Sequence, residues 1–425
     1  MPGITRLFRS DPVRRRAILA CLAGNLFEIF DFTVYGYFAV EIGAAIFPSQ
    51  DPIASVLASF ATYGVGFLMR PIGAMVLGSY GDRHGRKGAL ALTISLMALA
   101  TGLTGLVPSY AQIGLWAPVL LVLCRLLQGF STGGEWGGAT AFLFEFAPPH
   151  RRGLYGSFQQ LSTGVAQIAA VSTALAAHSW LTGPALSSWG WRVPFLFGLI
   201  MAPVGYYLRA RVSETPAFEA ARRDRQRLES PLRAAFGRHR GAVATCFGLT
   251  VMWTVASYVF ITFMPTFAVQ TLGLEAGDAL RAATCAALAN IVVVPIAGSW
   301  SDRVGRMLPL RLSAIGFTVL AMPLFLLLGM WPDAVNLSAV SLVAGLLYGL
   351  FNGVAPAALS ELFPTNVRHT ALSVGYNSAV MLFGGFAPFF CTYLIRATGS
   401  PAAPGLYVTA CAAVTLGVLM TLRRR

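Results

Sequence analysis

Apolar runs of about 20 residues, each long enough to cross a hydrocarbon core, recur along the whole chain at 17–46, 53–78, 88–107, 115–142, 154–178, 191–209, 240–268, 279–299, 309–330, 338–360, 370–394 and 404–422. Nothing else constrains the fold as much. Inside lipid every backbone N–H and C=O must find a partner within the protein, so only helices or closed barrels span. These runs lack the dyad alternation of barrel strands. They predict an all-α polytopic membrane protein of twelve transmembrane helices.

Charge is scarce and placed by topology. Only 11% of the 425 residues are charged, yet the formal net charge is +14. With the N-terminus inside, 26 of the 31 Lys and Arg fall in cytoplasmic segments. Arg192, Arg281 and Arg396 are the three in outer segments, and Arg70 and Arg125 lie within spans. This is the positive-inside pattern, which predicts both termini in the cytoplasm. Basicity here encodes orientation, and no nucleic-acid partner is expected. The basic N-terminus leads into an apolar run longer than a signal-peptide core, so it is expected to be kept as the first span. All six cysteines fall inside spans and read as small buried hydrophobes, without a disulfide or metal-ligand pattern.

A short signature occurs twice, about half the chain apart. Gly78-Ser79-Tyr80-Gly81-Asp82-Arg83-His84-Gly85-Arg86-Lys87 follows the second run, and Gly298-Ser299-Trp300-Ser301-Asp302-Arg303-Val304-Gly305-Arg306 follows the eighth. Glu145, Pro148 and Arg152 likewise return as Glu361, Pro364 and Arg368. A duplicated six-helix unit explains both repeats, and secondary transporters are built from such repeats with a site between them. The expected units are residues 1–208 and 240–425, joined by a cytoplasmic linker at 209–239. Pro231 followed by Arg233 to Arg240 forms either a short helix on anionic lipid or a solvated loop.

The Gly-x-x-x-Asp-Arg-x-Gly-Arg signature resembles that of the major facilitator superfamily. Three further stretches resemble its metabolite:proton symporter family. They are Gly24-Asn25-Leu26-Phe27-Glu28-Ile29-Phe30-Asp31-Phe32, then Arg125-Leu126-Leu127-Gln128-Gly129-Phe130-Ser131-Thr132-Gly133-Gly134-Glu135, and Glu214-Thr215-Pro216-Ala217-Phe218. Within that family, Phe67-Leu68-Met69-Arg70-Pro71-Ile72-Gly73, Phe383-Gly384-Gly385 and Ser400-Pro401 resemble citrate and tricarballylate symporters. Ile29 departs from the pattern, which often has an aromatic residue or Gln there. The resemblance implies two pseudo-symmetric six-helix bundles in a bacterial inner membrane. It implies a protein that works as a monomer and needs no cofactor beyond the proton as coupling ion.

A charge at mid-bilayer costs about 2.5–3.5 kcal/mol even on insertion scales, so each one needs a partner or a wet cavity. Glu28 and Asp31 share one face of the first span with Asn25 and Tyr35, while Arg125, Gln128, Thr132 and Glu135 share one face of the fourth. Asp31 with Arg125 is the leading proton-coupling pair. A carboxylate beside an arginine stays ionised; when a substrate carboxylate takes the arginine, or the arginine moves, the acid takes up a proton. Related facilitators place an acid against this arginine, so the resemblance implies the same. The alternative is a permanent salt bridge that fixes helix packing. Glu28 and Glu135 are alternative proton carriers, or hydrogen-bond backbone at Gly-rich crossings.

Arg70 and Arg125 each offer a guanidinium fork suited to a carboxylate; Arg70 precedes Pro71 and alternatively steadies a kink. Asn25, Tyr35 and Gln128, then Gln159, Gln160 and Gln167 of the fifth run, with Tyr258, Asn352, Tyr376 and Asn377, complete the expected substrate contacts, or serve as interhelical hydrogen bonds. The resemblance also implies an inner gate latched in the outward-open state. Its expected members are Gly78, Asp82, Arg83, Gly85, Arg86, Glu145 and Arg152 in one repeat, with Asp302, Arg303, Arg306, Glu361 and Arg368 in the other. There Asp82 and Glu145 are expected to exchange partners with arginines such as Arg152, and Asp302 and Glu361 with Arg368.

The expected function is proton-coupled symport of a small organic acid, a di- or tricarboxylate such as citrate, by alternating access. Compatible solutes (proline, betaine) and shikimate-like monocarboxylates are the alternatives. Osmosensory relatives often carry a heptad-rich tail, and the sequence stopping at Arg425, just beyond the twelfth run, argues against that branch without excluding it. A membrane enzyme or receptor is disfavoured, since no nucleophile–base or metal spacing and no output domain is visible.

Overall fold

The computed structural model describes residues 12–84, 86–199, 239–364 and 367–422, with side chains described except at 12–21, 78, 79, 81–91, 142, 145 and 146. Helices occupy the expected places. Span one is Pro12–Tyr37 with Ala39–Ile46; span two is Pro52–Leu68 with Arg70–His84; span three is Arg86–Leu106. Span four is Trp116–Thr132 with Glu135–Phe146, and span five is Arg152–Trp180. Of span six only the start, helical over 193–199, is described. Span seven runs Arg240–Ser257, a π-helical turn Tyr258–Phe263, and Met264–Gln270. Span eight is Ala276–Val304, span nine Met307–Met330, and span ten Ala334–Asn352 with Ala355–Glu361. Span eleven is Arg368–Ala379, a second π-helical turn Val380–Gly384 and Ala387–Thr398, and span twelve is Ala403–Thr421. Apart from His239, the expected 209–239 linker lies outside the described residues.

Among the described residues, eight helical segments are long and apolar enough to cross a bilayer, and the bent first span makes a ninth. Span five, at 29 residues, has the length but carries Gln159, Gln160, Ser162, Thr163 and Gln167 on its buried face. The bundle is turned inside out relative to a soluble protein. Leu123, Val292, Ile296, Val319 and Val414 are more than half exposed, while Arg70, Arg125, Glu28, Asp31 and four glutamines are buried. Apolar side chains facing outward cost nothing when the surroundings are lipid, and the polar groups find one another within.

The spans break where the sequence supplies small or constrained residues. Span one bends by 67° at Phe38, span two breaks at Met69 just before Pro71, span four at Gly133–Gly134 and span ten at Gly353–Val354. The last two breaks lie about half the chain apart, so the duplication extends from the loop signatures to helix geometry. Spans two and four cross at glycines. A Cβ on Gly129 or Gly133 would overlap the carbonyl oxygens of Gly66 or Arg70. Only a hydrogen at those positions permits the approach, and it carries Arg70 into the bundle.

Spans from the two ends of the chain meet along a long seam. On the face bearing the basic loops, Asp302 accepts hydrogen bonds from the backbone N–H groups of Gly153 (2.8 Å) and Leu154 (3.0 Å). Deeper in, Asn377 donates to the carbonyl of Gly133 (2.9 Å). On the opposite face Asp51 pairs with Arg396 at 2.7 Å, and a Cβ on Gly64 or Gly385 would strike the rings of Phe386 or Phe67. The seam is therefore in contact at both ends.

Candidate transport site

Two buried ion pairs sit one turn apart on span one. Arg125 Nη1 lies 3.3 Å from Asp31 Oδ2, with side-chain exposures of 0% and 4%. Gln128 Nε2 donates to the same carboxylate oxygen and to Thr101 Oγ1 at 2.9 Å. Arg125 also reaches Thr104 Oγ1 at 3.4 Å, and its guanidinium lies 4.3 Å from the centre of the Tyr35 ring and 5.5 Å from that of Phe195. Tyr35 in turn donates to the carbonyl of Ser59 at 3.1 Å. Every one of these partners comes from the first five spans or the start of the sixth.

The second pair is differently housed. Arg70 Nη2 stands 3.0 Å from Glu28 Oε1, each side chain 3% exposed. The rings of Phe32 and Phe67 flank the guanidinium at 4.7 and 4.4 Å. Its Nε finds no hydrogen-bond partner among the described residues. Tyr258 packs against Phe67 and Tyr63 with ring centres 5.4 and 6.0 Å away, so span seven closes over the pair. The pair thus lies at the seam. Arg70 follows the break in span two, and its side chain is turned to Glu28, so the kink and the ion pair coexist.

Several expected substrate contacts are committed to helix–helix bonds. Asn25 donates to Ser162 (2.8 Å), Thr163 (3.0 Å) and the carbonyl of Gln159. Gln159 accepts from Thr140 at 2.6 Å. Gln160 is buried with an Nε2 that has no described partner. Gln167 accepts from Asn290 (3.3 Å), whose Oδ1 accepts from Asn352 (3.1 Å), whose Oδ1 accepts from the indole of Trp253 (2.9 Å). That chain runs through spans five, eight, ten and seven and crosses the seam. Beside it Trp136 stacks on Tyr376, centres 3.7 Å apart and planes 11° apart, and meets Trp253 edge-on at 5.7 Å. Glu135, next to Trp136, is 2% exposed.

Trp136, Trp253, Tyr63, Thr101 and Thr104 are absent from the sequence-derived set. Tryptophans and threonines in apolar runs look like lipid-compatible filler. A one-face spacing with Glu135 would have pointed at Trp136 no more than at its neighbours.

At the basic-loop face, one pairing differs from expectation. Asp302 and Glu361 do not meet Arg368; they share Arg306, at 2.7 and 3.1 Å. Arg368 instead donates to the carbonyls of Ser360 (3.0 Å) and Phe363 (3.2 Å) and, with Arg152, sits over the Phe144 ring. The physical reason is that Asp302 caps the start of span five, where backbone N–H groups and the helix dipole favour a carboxylate. Arg306, one turn on along the same signature, is the guanidinium within reach of both acids. Arg303 is exposed. The side chains of Gly78, Asp82, Arg83, Gly85, Arg86 and Glu145 lie outside the described residues.

Charged pairs buried among apolar helices, beneath a seam held at both faces by hydrogen bonds and an ion pair, define the arrangement of a membrane transporter. A model of the Major Facilitator Superfamily matches residues 17–388, and the chain belongs to that family. The citrate-proton symporter of Klebsiella pneumoniae is 39% identical over 413 residues, 96% of this chain and 92% of that protein. The proline/betaine transporter of Escherichia coli strain K12 is 34% identical over 433 residues, 96% and 84% of the two chains. The xylose transporter XylE from Escherichia coli, in a partially occluded inward open conformation, superposes with a TM-score of 0.80 at 17% identity, covering 97% and 98%. That likeness is one of fold. These relatives are transporters rather than enzymes, and the chain is a multi-pass membrane protein of the same kind.

Proposed function

We propose that the protein takes up a small organic acid, a di- or tricarboxylate of the citrate class, together with protons across a bacterial inner membrane by alternating access. The observation that carries this reading is the Asp31–Arg125 pair, buried at bilayer depth with 3.3 Å between the charges. An acid in that position has no structural need to be ionisable unless its charge changes during the cycle, because a neutral pair of the same shape is cheaper to bury. When the helices move and Arg125 shifts, Asp31 takes a proton, and proton movement is tied to the conformational step. The basic loops face the cytoplasm, and the Asp302–Arg306–Glu361 cluster closes that side. The 39% identity to a citrate-proton symporter supports both the carboxylate and the proton.

A zwitterionic compatible solute is the second reading. Trp136, Trp253 and Tyr376 form a three-ring cluster of the type that holds quaternary ammonium groups, and proline/betaine transporters are 34% identical. In this conformation Trp136 and Tyr376 are in direct stacking contact, which leaves no gap for a cation between them.

The test is uptake of labelled citrate into proteoliposomes with and without an inward proton gradient, competed by tricarballylate, shikimate and betaine. Gradient-driven uptake blocked by tricarboxylates and lost in Asp31→Asn is the expected result. Uptake indifferent to the gradient, or competition by betaine alone, overturns it.

A further inference from the structure

Glu28 differs from Asp31 in what holds it and in what lies beyond it. The Asp31 carboxylate sits within the first six spans with Arg125 and Gln128 upon it. Glu28 is paired with an arginine at the seam between spans from opposite ends of the chain. That arginine is nine-tenths or more buried and keeps an Nε donor without a described hydrogen-bond partner. Its ceiling is Tyr258, and Phe32 and Phe67 are its walls. A guanidinium with a spare donor in an aromatic box at a moving seam is built to take a carboxylate by two parallel hydrogen bonds. Glu28, approaching with one oxygen at 3.0 Å, takes only part of that fork.

We propose that Glu28 is the built-in occupant of the substrate-carboxylate site on Arg70, displaced by the incoming acid and leaving as the protonated form. This rests on the carboxylate reading of the same site. The balance is simple. Before binding, the site holds one guanidinium cation and the Glu28 carboxylate. After binding it holds the same cation, the substrate carboxylate and a neutral Glu28 acid, the proton coming from the entry side. The net charge of the dry site is unchanged, so the substrate's charge adds no desolvation cost. One proton is taken up for each carboxylate seated on Arg70, in addition to any carried by Asp31.

The other groups facing Glu28 do not substitute for it. Arg70 and Tyr63 come from span two, Tyr258 from span seven and Tyr376 from span eleven. Span four brings Glu135 near span one, and Asp31 is one turn along the same helix. Span five presents Gln159, Gln160 and Gln167, which do not titrate. Glu28 alone of these carboxylates pairs with Arg70.

The experiment is calorimetry of citrate binding to the purified full chain in detergent, in buffers of different ionisation enthalpy between pH 6 and 8, which reads both affinity and protons taken up. Wild type is expected to lose affinity as pH rises, by about tenfold per unit for each linked proton. Glu28→Gln, a permanent mimic of the displaced acid, is expected to take up one proton fewer than wild type and to bind citrate about tenfold tighter at pH 8. Arg70→Gln is expected to lose binding. Proton uptake unchanged in Glu28→Gln, or binding lost as in Arg70→Gln, overturns the proposal while leaving the carboxylate function standing. Wild type that binds betaine and no carboxylate overturns both. Should Glu28→Gln fail to fold, Glu28→Asp decides. A shorter acid that holds Arg70 less well is expected to bind citrate more tightly than wild type with proton uptake retained, and unchanged affinity there overturns the proposal.

Discussion

The Asp31–Arg125 and Glu28–Arg70 pairs have the same chemistry, lie one turn apart on one helix and are equally buried, yet their settings are opposite. Around Arg125 hydrogen-bonding groups join the rings: Gln128 on its carboxylate partner and Thr104 on the guanidinium, with Tyr35 and Phe195 beside it. Around Arg70 the neighbours are rings, two from the near spans and Tyr258 from the far side of the seam. Burial alone therefore does not say what an intramembrane charge is for. The described partners of the Asp31–Arg125 pair all come from the first six spans. The Glu28–Arg70 pair is instead enclosed by rings from both sides of the seam.

The largest expected effect separates the two arginines by stability. Arg125→Ala strands Asp31 in an apolar interior, and breaking a buried pair costs about 3–5 kcal/mol. Arg70→Ala likewise leaves Glu28 without its arginine, but Arg70 has no described hydrogen bond beyond that pair whereas Arg125 also bonds Thr104, so the loss at Arg70 is expected to be the smaller of the two. Thermal unfolding of both variants in detergent checks the order, and equal losses would erase the contrast.

Next comes the crossing that delivers Arg70. Gly133→Ala places a methyl against the Arg70 carbonyl, and overpacking of that kind costs about 1–3 kcal/mol. Citrate affinity is expected to fall; a variant with intact affinity shows that the spacing of spans two and four does not set the position of Arg70.

A smaller effect is expected at the basic-loop face. Asp302→Ala leaves the Gly153 and Leu154 N–H groups without their cap, a loss of about 0.5–2 kcal/mol. That loss falls only on conformers closed on this side, so cysteine accessibility of the seam from the basic-loop face should rise. The smallest belongs to Asp51→Ala on the opposite face. That pair is nearly half exposed, and such pairs contribute about 0–1 kcal/mol. Its removal is expected to leave the unfolding temperature within error and to show mainly as weaker salt dependence of transport. An effect of Asp51→Ala as large as that of Asp302→Ala would show that the two faces are latched equally.

Much of the architecture was legible in the chain, because lipid permits one kind of solution to a 20-residue apolar run and because duplication leaves paired signatures. The spans fall where the runs do, and the buried charges Glu28, Asp31, Arg70, Arg125 and Glu135 stand out because charge in an apolar run is costly. Who pairs with whom was only partly legible. Helical spacing places Glu28 and Asp31 on one face but cannot assign each to its arginine. That assignment depends on how spans two and four cross at Gly66, Gly129 and Gly133. Asp302 bonds to backbone N–H groups, which every residue has, so no sequence signal marks Gly153 and Leu154 as its partners, nor Arg306 in place of Arg368. Trp136 and Trp253 become neighbours only when spans four and seven meet at the seam. The sequence by itself determined a twelve-span bundle with charges that must be buried, since those follow from local hydropathy and the cost of burial. The tertiary structure alone decided which charges face the seam, since that depends on the close approach of helices far apart in the chain.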